Sequence, residues 1–228
     1  MSSAGTSGRI WPSTIWSLIR QGREGAPEER KEARERLCRL YYKPVFSFFQ
    51  KVLRVSVSDV EDVTQDFFTR FVERDFLQNI THEKSFRGFL KLACRRHFIN
   101  WLESRRSPGI EVPLEAATTS PERIDSMIDE EVRAWTLEEA VSRLRKELIR
   151  QGKELQFHIF EARAGLGGMA PTSYRELAAG FGISVYDTGN HLASARRLIR
   201  KFLLEVAAER SDDPSEELRA MGLQEFFH

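Results

Sequence analysis

Apolar residues recur every three or four positions along most of this chain, and this spacing constrains the fold more than any other feature. Between residues 59 and 72, valine and phenylalanine residues fall on one side of a helix, while Asp59, Asp62 and Asp66 fall on the other. A similar apolar stripe returns between residues 128 and 148. We therefore predict an all-α fold.

Capping signals mark where several of these helices should begin. A serine followed three residues later by an acid is a capping box, and a proline at the first helical position strengthens the start. The predicted starts are Pro27, Ser58 with Glu61, Ser120 with Pro121 and Glu122, Ser173 with Glu176, and Ser184 with Asp187. Proline within a helical pattern disrupts it, so we expect a kink or a break at Pro44.

A change of composition divides the chain. Residues 107–120 begin with Ser107-Pro108-Gly109, continue with Pro, Ala, Thr and acids, and show little periodicity. We predict two helical domains joined by this flexible linker. The predicted limits are a disordered N-terminus at 1–9, a first domain at 10–106, a second domain at 121–208 and a C-terminal tail at 209–228.

The stretch from Lys84 to Arg106 is strongly basic. It holds seven lysine and arginine residues against one acid, Glu103, with aromatic residues between the charges. Cations bind phosphates without regard to sequence, and aromatic rings stack on unpaired bases. The pattern fits a nucleic-acid-binding helix, and it also fits a basic-faced helix whose aromatic residues only fill a core.

Residues 173–201 have the pattern of a helix-turn-helix: a short helix, a glycine-containing turn and a second helix with polar and basic residues. Short polar residues near the start of the second helix would reach base edges, and the cations beyond them would contact phosphates. The alternative is an ordinary helical hairpin. The candidate contacts with duplex DNA are Thr188, Asn190, His191, Ser194, Arg196, Arg197 and Arg200.

Composition limits the classes of function that we expect. The formal net charge is only +1, so the whole-chain charge says little about partners. Cys38 and Cys94 lie within helical patterns and suggest reduced, buried thiols. No apolar run reaches the length of a membrane span, no secretory signal is evident, and no metal-ligand spacing or nucleophile–base pair stands out. We expect a cytoplasmic protein that is not an enzyme and needs no metal or cofactor.

Three motifs in this order resemble those of the extracytoplasmic-function (group 4) sigma factors of bacterial RNA polymerase. They are DVEDVTQDFF at 59–68, SFRGFL at 85–90, and SYRELA at 173–178 followed by ARR at 195–197. The run LCRLYYKPV at 37–45 is similar to a subgroup with a longer N-terminus and a C-terminal tail. The similarity covers roughly residues 10–222. Gly189 departs from the family, which usually has a better helix former there.

The resemblance implies a division of roles. Region 2 would dock on the clamp helices of the largest polymerase subunit through Asp59, Asp62, Gln65 and Asp66. It would capture the melted −10 promoter strand with Arg87, Lys91, Arg95, Arg96, Asn100 and Trp101. Region 4 would read the −35 duplex with the second helix of the helix-turn-helix and rest on the flap of the second-largest subunit. An anti-sigma protein is the expected inhibitor.

Two other functions remain open. A stand-alone helix-turn-helix regulator would bind specific duplex DNA without polymerase. A sigma-like adaptor would dock on polymerase without opening promoters.

Overall fold

The computed structural model describes residues 15–73, 77, 86–104, 119–166, 170–211 and 213–223. All of its regular elements in these ranges are helices, which confirms the predicted all-α class. The helices are α1 Ile15–Glu24, α2 Pro27–Leu53, α3 Val57–Glu73, α4 Phe86–Ser104, α5 Pro121–Arg150, α6 Glu154–Ala164, α7 Tyr174–Phe181, α8 Val185–Ala208 and α9 Pro214–Ala220.

Contacts divide the chain into two compact units. Unit 1 comprises Met1–Val132 and Ala208–Asp213, and unit 2 comprises Arg133–Ala207 and Pro214–His228. The division lies within α5, about twelve residues beyond the linker that the composition predicted. Residues 107–118, most of that linker, lie outside the described residues, as does the N-terminal segment predicted to be disordered.

In unit 1, α2 is longer and less interrupted than its sequence suggested. Pro27 occupies its first turn, as predicted. Pro44 lies inside the helix and is buried, and the helix continues through it to Leu53. Of the predicted kink or break at Pro44, the break is therefore excluded. Phe48 and Phe49 on this helix are fully buried and belong to the core of the unit.

Helix α3 begins two residues earlier than the capping signal indicated. The Ser56 hydroxyl accepts a hydrogen bond from the Asp59 amide at 3.2 Å and donates to the Asp59 carboxylate at 2.6 Å. Ser58 was the predicted cap, but Ser56 satisfies the same local rule, because an acid also stands three residues after it. The apolar stripe is as predicted, with Val60, Val63 and Phe67 buried.

Unit 2 contains α6–α9 and the second part of α5. A capping box starts α7: the Ser173 amide donates to the Glu176 carboxylate at 2.9 Å, and the Ser173 hydroxyl accepts from the Glu176 amide at 3.3 Å. The helix ends at Phe181, with Gly182 in the left-handed conformation at φ 65°. Ser184 then accepts a hydrogen bond from the Asp187 amide at 3.0 Å and starts α8. These starts confirm the capping signals read from the sequence.

Both cysteines are free. Burial raises the pKa of the Cys38 thiol to about 11 and raises the pKa of the Cys94 thiol further. Neither thiol is therefore a ready nucleophile near neutral pH. Among the described helices, none combines the length and the apolar character that crossing a bilayer requires.

Candidate protein-docking and nucleic-acid interfaces

The four predicted docking residues on α3 differ in whether their side chains already bond to other described residues. Asp59 is engaged with Ser56 at the start of the helix. Asp66 pairs with Arg70, at 2.9 Å, and lies 3.7 Å from Nε2 of His97. Asp62 and Gln65 are exposed. Within the described ranges they have no hydrogen-bond or ion-pair partner, so they are the members of the set that remain available to a partner.

An open cleft of about 600 Å³ lies beside Gln65, between α2 and α3. Its wall is partly aromatic: Tyr42 is 46% exposed, and its ring stacks on Phe68 at 5.8 Å between centroids. Gln65 and Glu61 add polar and acidic groups to the lining. An apolar wall with an acidic and amide rim suits an amphipathic helix that carries basic residues.

The aromatic residues of α4 mostly serve the core. Phe86 and Phe98 are only 3% and 1% exposed, and Phe86 packs against Tyr41 at 4.8 Å between ring centroids. Phe89 and Trp101 are half-buried. The structure therefore favours core packing for the buried rings and leaves Trp101 as the candidate stacking platform on this helix.

The predicted DNA-binding cations of α4 fall into two groups. Arg96 is exposed, as is Asn100 one turn further along the helix. Arg87, Lys91 and Arg95 instead face α5, where their charges meet two aspartates. The pairs are Arg87 Nε with Asp129 Oδ1 at 3.7 Å, Lys91 Nζ with Asp129 Oδ2 at 3.0 Å, and Arg95 Nη1 with Asp125 Oδ2 at 3.4 Å.

The predicted duplex-reading residues of α8 also differ in how exposed they are. Asn190, Arg196 and Arg197 are exposed, and His191, Ser194 and Arg200 are half-buried. Thr188 is the exception. Its side chain is fully buried, and its hydroxyl donates to the Ser184 carbonyl oxygen at 3.0 Å.

Thr188 was therefore wrongly predicted to reach a base. It continues the buried stripe of Leu192, Ala195 and Ile199, which recur three or four residues apart. Thr188 was predicted to be exposed because threonine is polar, although its spacing from Leu192 already placed it on the buried face.

No family model, no curated protein and no solved structure matches this chain. The resemblance to the sigma factors therefore rests on the sequence motifs, and its functional consequences remain predictions. Among the described residues, no group of three or more His, Cys, Asp or Glu side chains is placed to hold a metal ion.

Tyr186 is a candidate contact that the sequence reasoning missed. It lies in the first turn of α8 and is 77% exposed, beside Val185 at 50%. An aromatic residue is usually assigned to a core, which is why it was passed over. The signal was present, because position 186 lies two residues before the buried Thr188 and so points away from the buried stripe.

Proposed function

We propose that this chain is a sigma-type initiation factor that binds core RNA polymerase and directs it to promoters. The proposal depends on the motifs and on the separate surfaces that carry them. In unit 1, α3 would dock on polymerase and α4 would hold the melted −10 strand. In unit 2, α7, the Gly182 turn and α8 would form a helix-turn-helix that reads the −35 duplex.

One observation supports this function over a stand-alone regulator. Asp62 and Gln65 are the two positions that the resemblance assigns to polymerase docking. They are exposed, free of partners within the described residues, and next to the cleft between α2 and α3. A regulator that acts on DNA alone would have no use for such a rim, whereas a docking protein needs unsatisfied polar groups around an apolar contact.

The DNA contacts follow from the exposed members of each predicted set. On α4, Arg96 and Asn100 would meet the unpaired strand, with Trp101 offering part of its ring for stacking. On α8, Tyr186 and Asn190 lie toward the N-terminal end, which enters the major groove in such motifs, and Arg197 lies further along to contact phosphates.

Run-off transcription tests the function directly. Core RNA polymerase, the full chain and promoter fragments from the same genome should give transcripts that depend on the protein. Co-elution with core polymerase without transcripts would favour the adaptor. Neither transcripts nor co-elution, with specific duplex binding retained, would favour the stand-alone regulator.

Two α3 variants test the docking surface. Asp62→Ala and Gln65→Ala should each weaken binding to core polymerase by about tenfold, or about 1.4 kcal/mol, because a few central residues carry most of the binding energy of an interface. The measurement is equilibrium binding to core polymerase, with circular dichroism to confirm an intact fold. The matched control is Glu154→Ala, an exposed acid on α6 of unit 2. Wild-type affinity in both α3 variants would contradict the docking assignment.

A further inference from the structure

The first three turns of α5 lie against the basic face of α4. This segment, residues 121–132, is called here the acidic cover. It belongs to unit 1, as do α2 and α4. Its helix is started by Ser120, whose hydroxyl accepts a hydrogen bond from the Arg123 amide at 3.2 Å.

The acidic cover places two carboxylates opposite three cations. Asp125 and Asp129 are one helical turn apart, and Arg87, Lys91 and Arg95 follow one another at the same four-residue spacing on α4. Two facing rows of opposite charge therefore run in register. The side chains of the three cations are left only 15%, 24% and 29% exposed.

Apolar burial holds the acidic cover in place as well. Ile124, Ile128 and Val132 are each 2% exposed, and they recur at the same four-residue spacing as the aspartates. Glu131 adds an anchor at the other end, since its buried carboxylate is bonded to Lys51 of α2. The segment is thus held by more than surface ion pairs, which alone contribute little.

We infer that the acidic cover is an internal competitor for single-stranded nucleic acid: Asp125 and Asp129 occupy the cations of α4 that a phosphate backbone would otherwise bind. The inference rests on the proposed role of α4 in binding DNA. A strand would first meet the exposed Arg96 and Asn100, then displace the two aspartates from Lys91 and Arg95. The free chain would bind weakly, because the affinity is reduced by the fraction of molecules that are uncovered.

The test is the affinity of the full chain for a fluorescein-labelled 20-nucleotide oligo-dT, measured by fluorescence anisotropy at low salt. Asp125→Asn with Asp129→Asn keeps the size and polarity of both side chains and removes their charge. We expect the double variant to bind about tenfold more tightly than wild type, since loss of several ion pairs raises the uncovered fraction.

The neighbouring acid provides a matched control. Glu130 is exposed, and its carboxylate is bonded to Arg123 and Ser126 of the same helix at 3.1 Å. Glu130→Gln changes the net charge as much as Asp129→Asn does, but it removes no contact with α4. We expect Asp129→Asn to tighten binding by about threefold and Glu130→Gln to stay within about twofold of wild type.

Hydrogen–deuterium exchange measures displacement itself. Saturating oligo-dT should lower the protection of amides in residues 121–132 and leave that of α3 unchanged. Three results would each overturn the role of the acidic cover as a competitor while leaving α4 as a DNA surface. They are equal affinities of wild type and the double variant for oligo-dT, equal gains in affinity in Asp129→Asn and Glu130→Gln, and unchanged protection of residues 121–132 on binding. Failure of every variant to bind oligo-dT would overturn both the cover and the proposed role of α4.

Discussion

His97 lies on α4 at the centre of the aromatic core of unit 1. Its ring meets those of Phe49 and Phe67, both at 5.5 Å between centroids, and its Nε2 faces the Asp66 carboxylate, which also pairs with Arg70. Burial lowers the pKa of His97 from its usual 6.5, and the nearby Asp66 only partly opposes this effect. The residue is therefore held neutral in the folded protein.

The lowered pKa of His97 gives stability a defined pH dependence. Below pH 6.5, His97 is protonated in the unfolded chain but stays neutral in the folded one until the pH reaches its lowered pKa. Its contribution to the free energy of unfolding is therefore fully present above pH 6.5 and is lost as the pH falls toward the lowered pKa. The slope from one group is at most about 1.4 kcal/mol per pH unit. Urea denaturation at pH 7.5 and 5.5 should show a smaller loss for His97→Gln than for wild type. Identical losses would contradict the assignment.

Two glycines near the start of α8 should respond oppositely to alanine. A Cβ at Gly189 would meet no atom within 4 Å, and the residue lies inside a helix. Gly189→Ala should raise the free energy of unfolding by about 0.5–1 kcal/mol, because alanine loses less backbone freedom on folding. Packing within the chain thus gives no reason for this departure from the sigma-factor pattern.

Gly182 is the matched control for that substitution. It also has open space around it, but its φ is +65°, which L-residues with a side chain rarely adopt. Gly182→Ala should lower the free energy of unfolding by about 1 kcal/mol. Thermal denaturation of both variants measures the difference, and a stabilised Gly182→Ala would contradict the αL cap.

At the scale of elements, one unequal ion pair joins α2 to the part of α5 in unit 1. The Glu131 side chain is 7% exposed, whereas that of Lys51 is 60% exposed. Lys51→Met would leave a buried carboxylate without its counter-charge. Because the lysine end is in solvent, we expect a loss of about 1–2 kcal/mol in the free energy of unfolding, below the cost of breaking a fully buried pair.

A double variant and a surface control sharpen this prediction. Glu131→Gln added to Lys51→Met should restore part of the loss, since the buried charge is then gone. Lys201→Met breaks a pair of exposed side chains, 3.7 Å apart on α8, and should change stability by less than about 0.5 kcal/mol. Urea denaturation of the variants gives the comparison, and equal losses for Lys51→Met and Lys201→Met would refute it.

The elements also show why some sequence predictions were accurate and others were not. The starts of α2, α5, α7 and α8 were predicted within a residue or two, because a cap joins groups only three or four residues apart. The predicted break at Pro44 is absent, because tertiary packing holds a helix together through a proline that local preference would place at a break.

At the scale of the whole molecule, the division into two units was only partly foreseen. The composition of residues 107–120 predicted a separation near there, but the first three turns of α5 belong to unit 1. From the sequence, the whole helix after Pro121 was assigned to the second domain, because its apolar stripe runs on without interruption. Periodicity shows which face of a helix is buried, and it does not show against which neighbour.

The sequence alone determined the all-α class, most helix starts and the buried stripe of α3. All of these follow from hydrogen bonds and side-chain spacing within a turn or two of helix. Only the tertiary structure decided that Arg87, Lys91 and Arg95 face Asp125 and Asp129. Those partners lie 30 to 42 positions apart in the chain, and pairs at such a distance depend on which helices pack together rather than on local spacing.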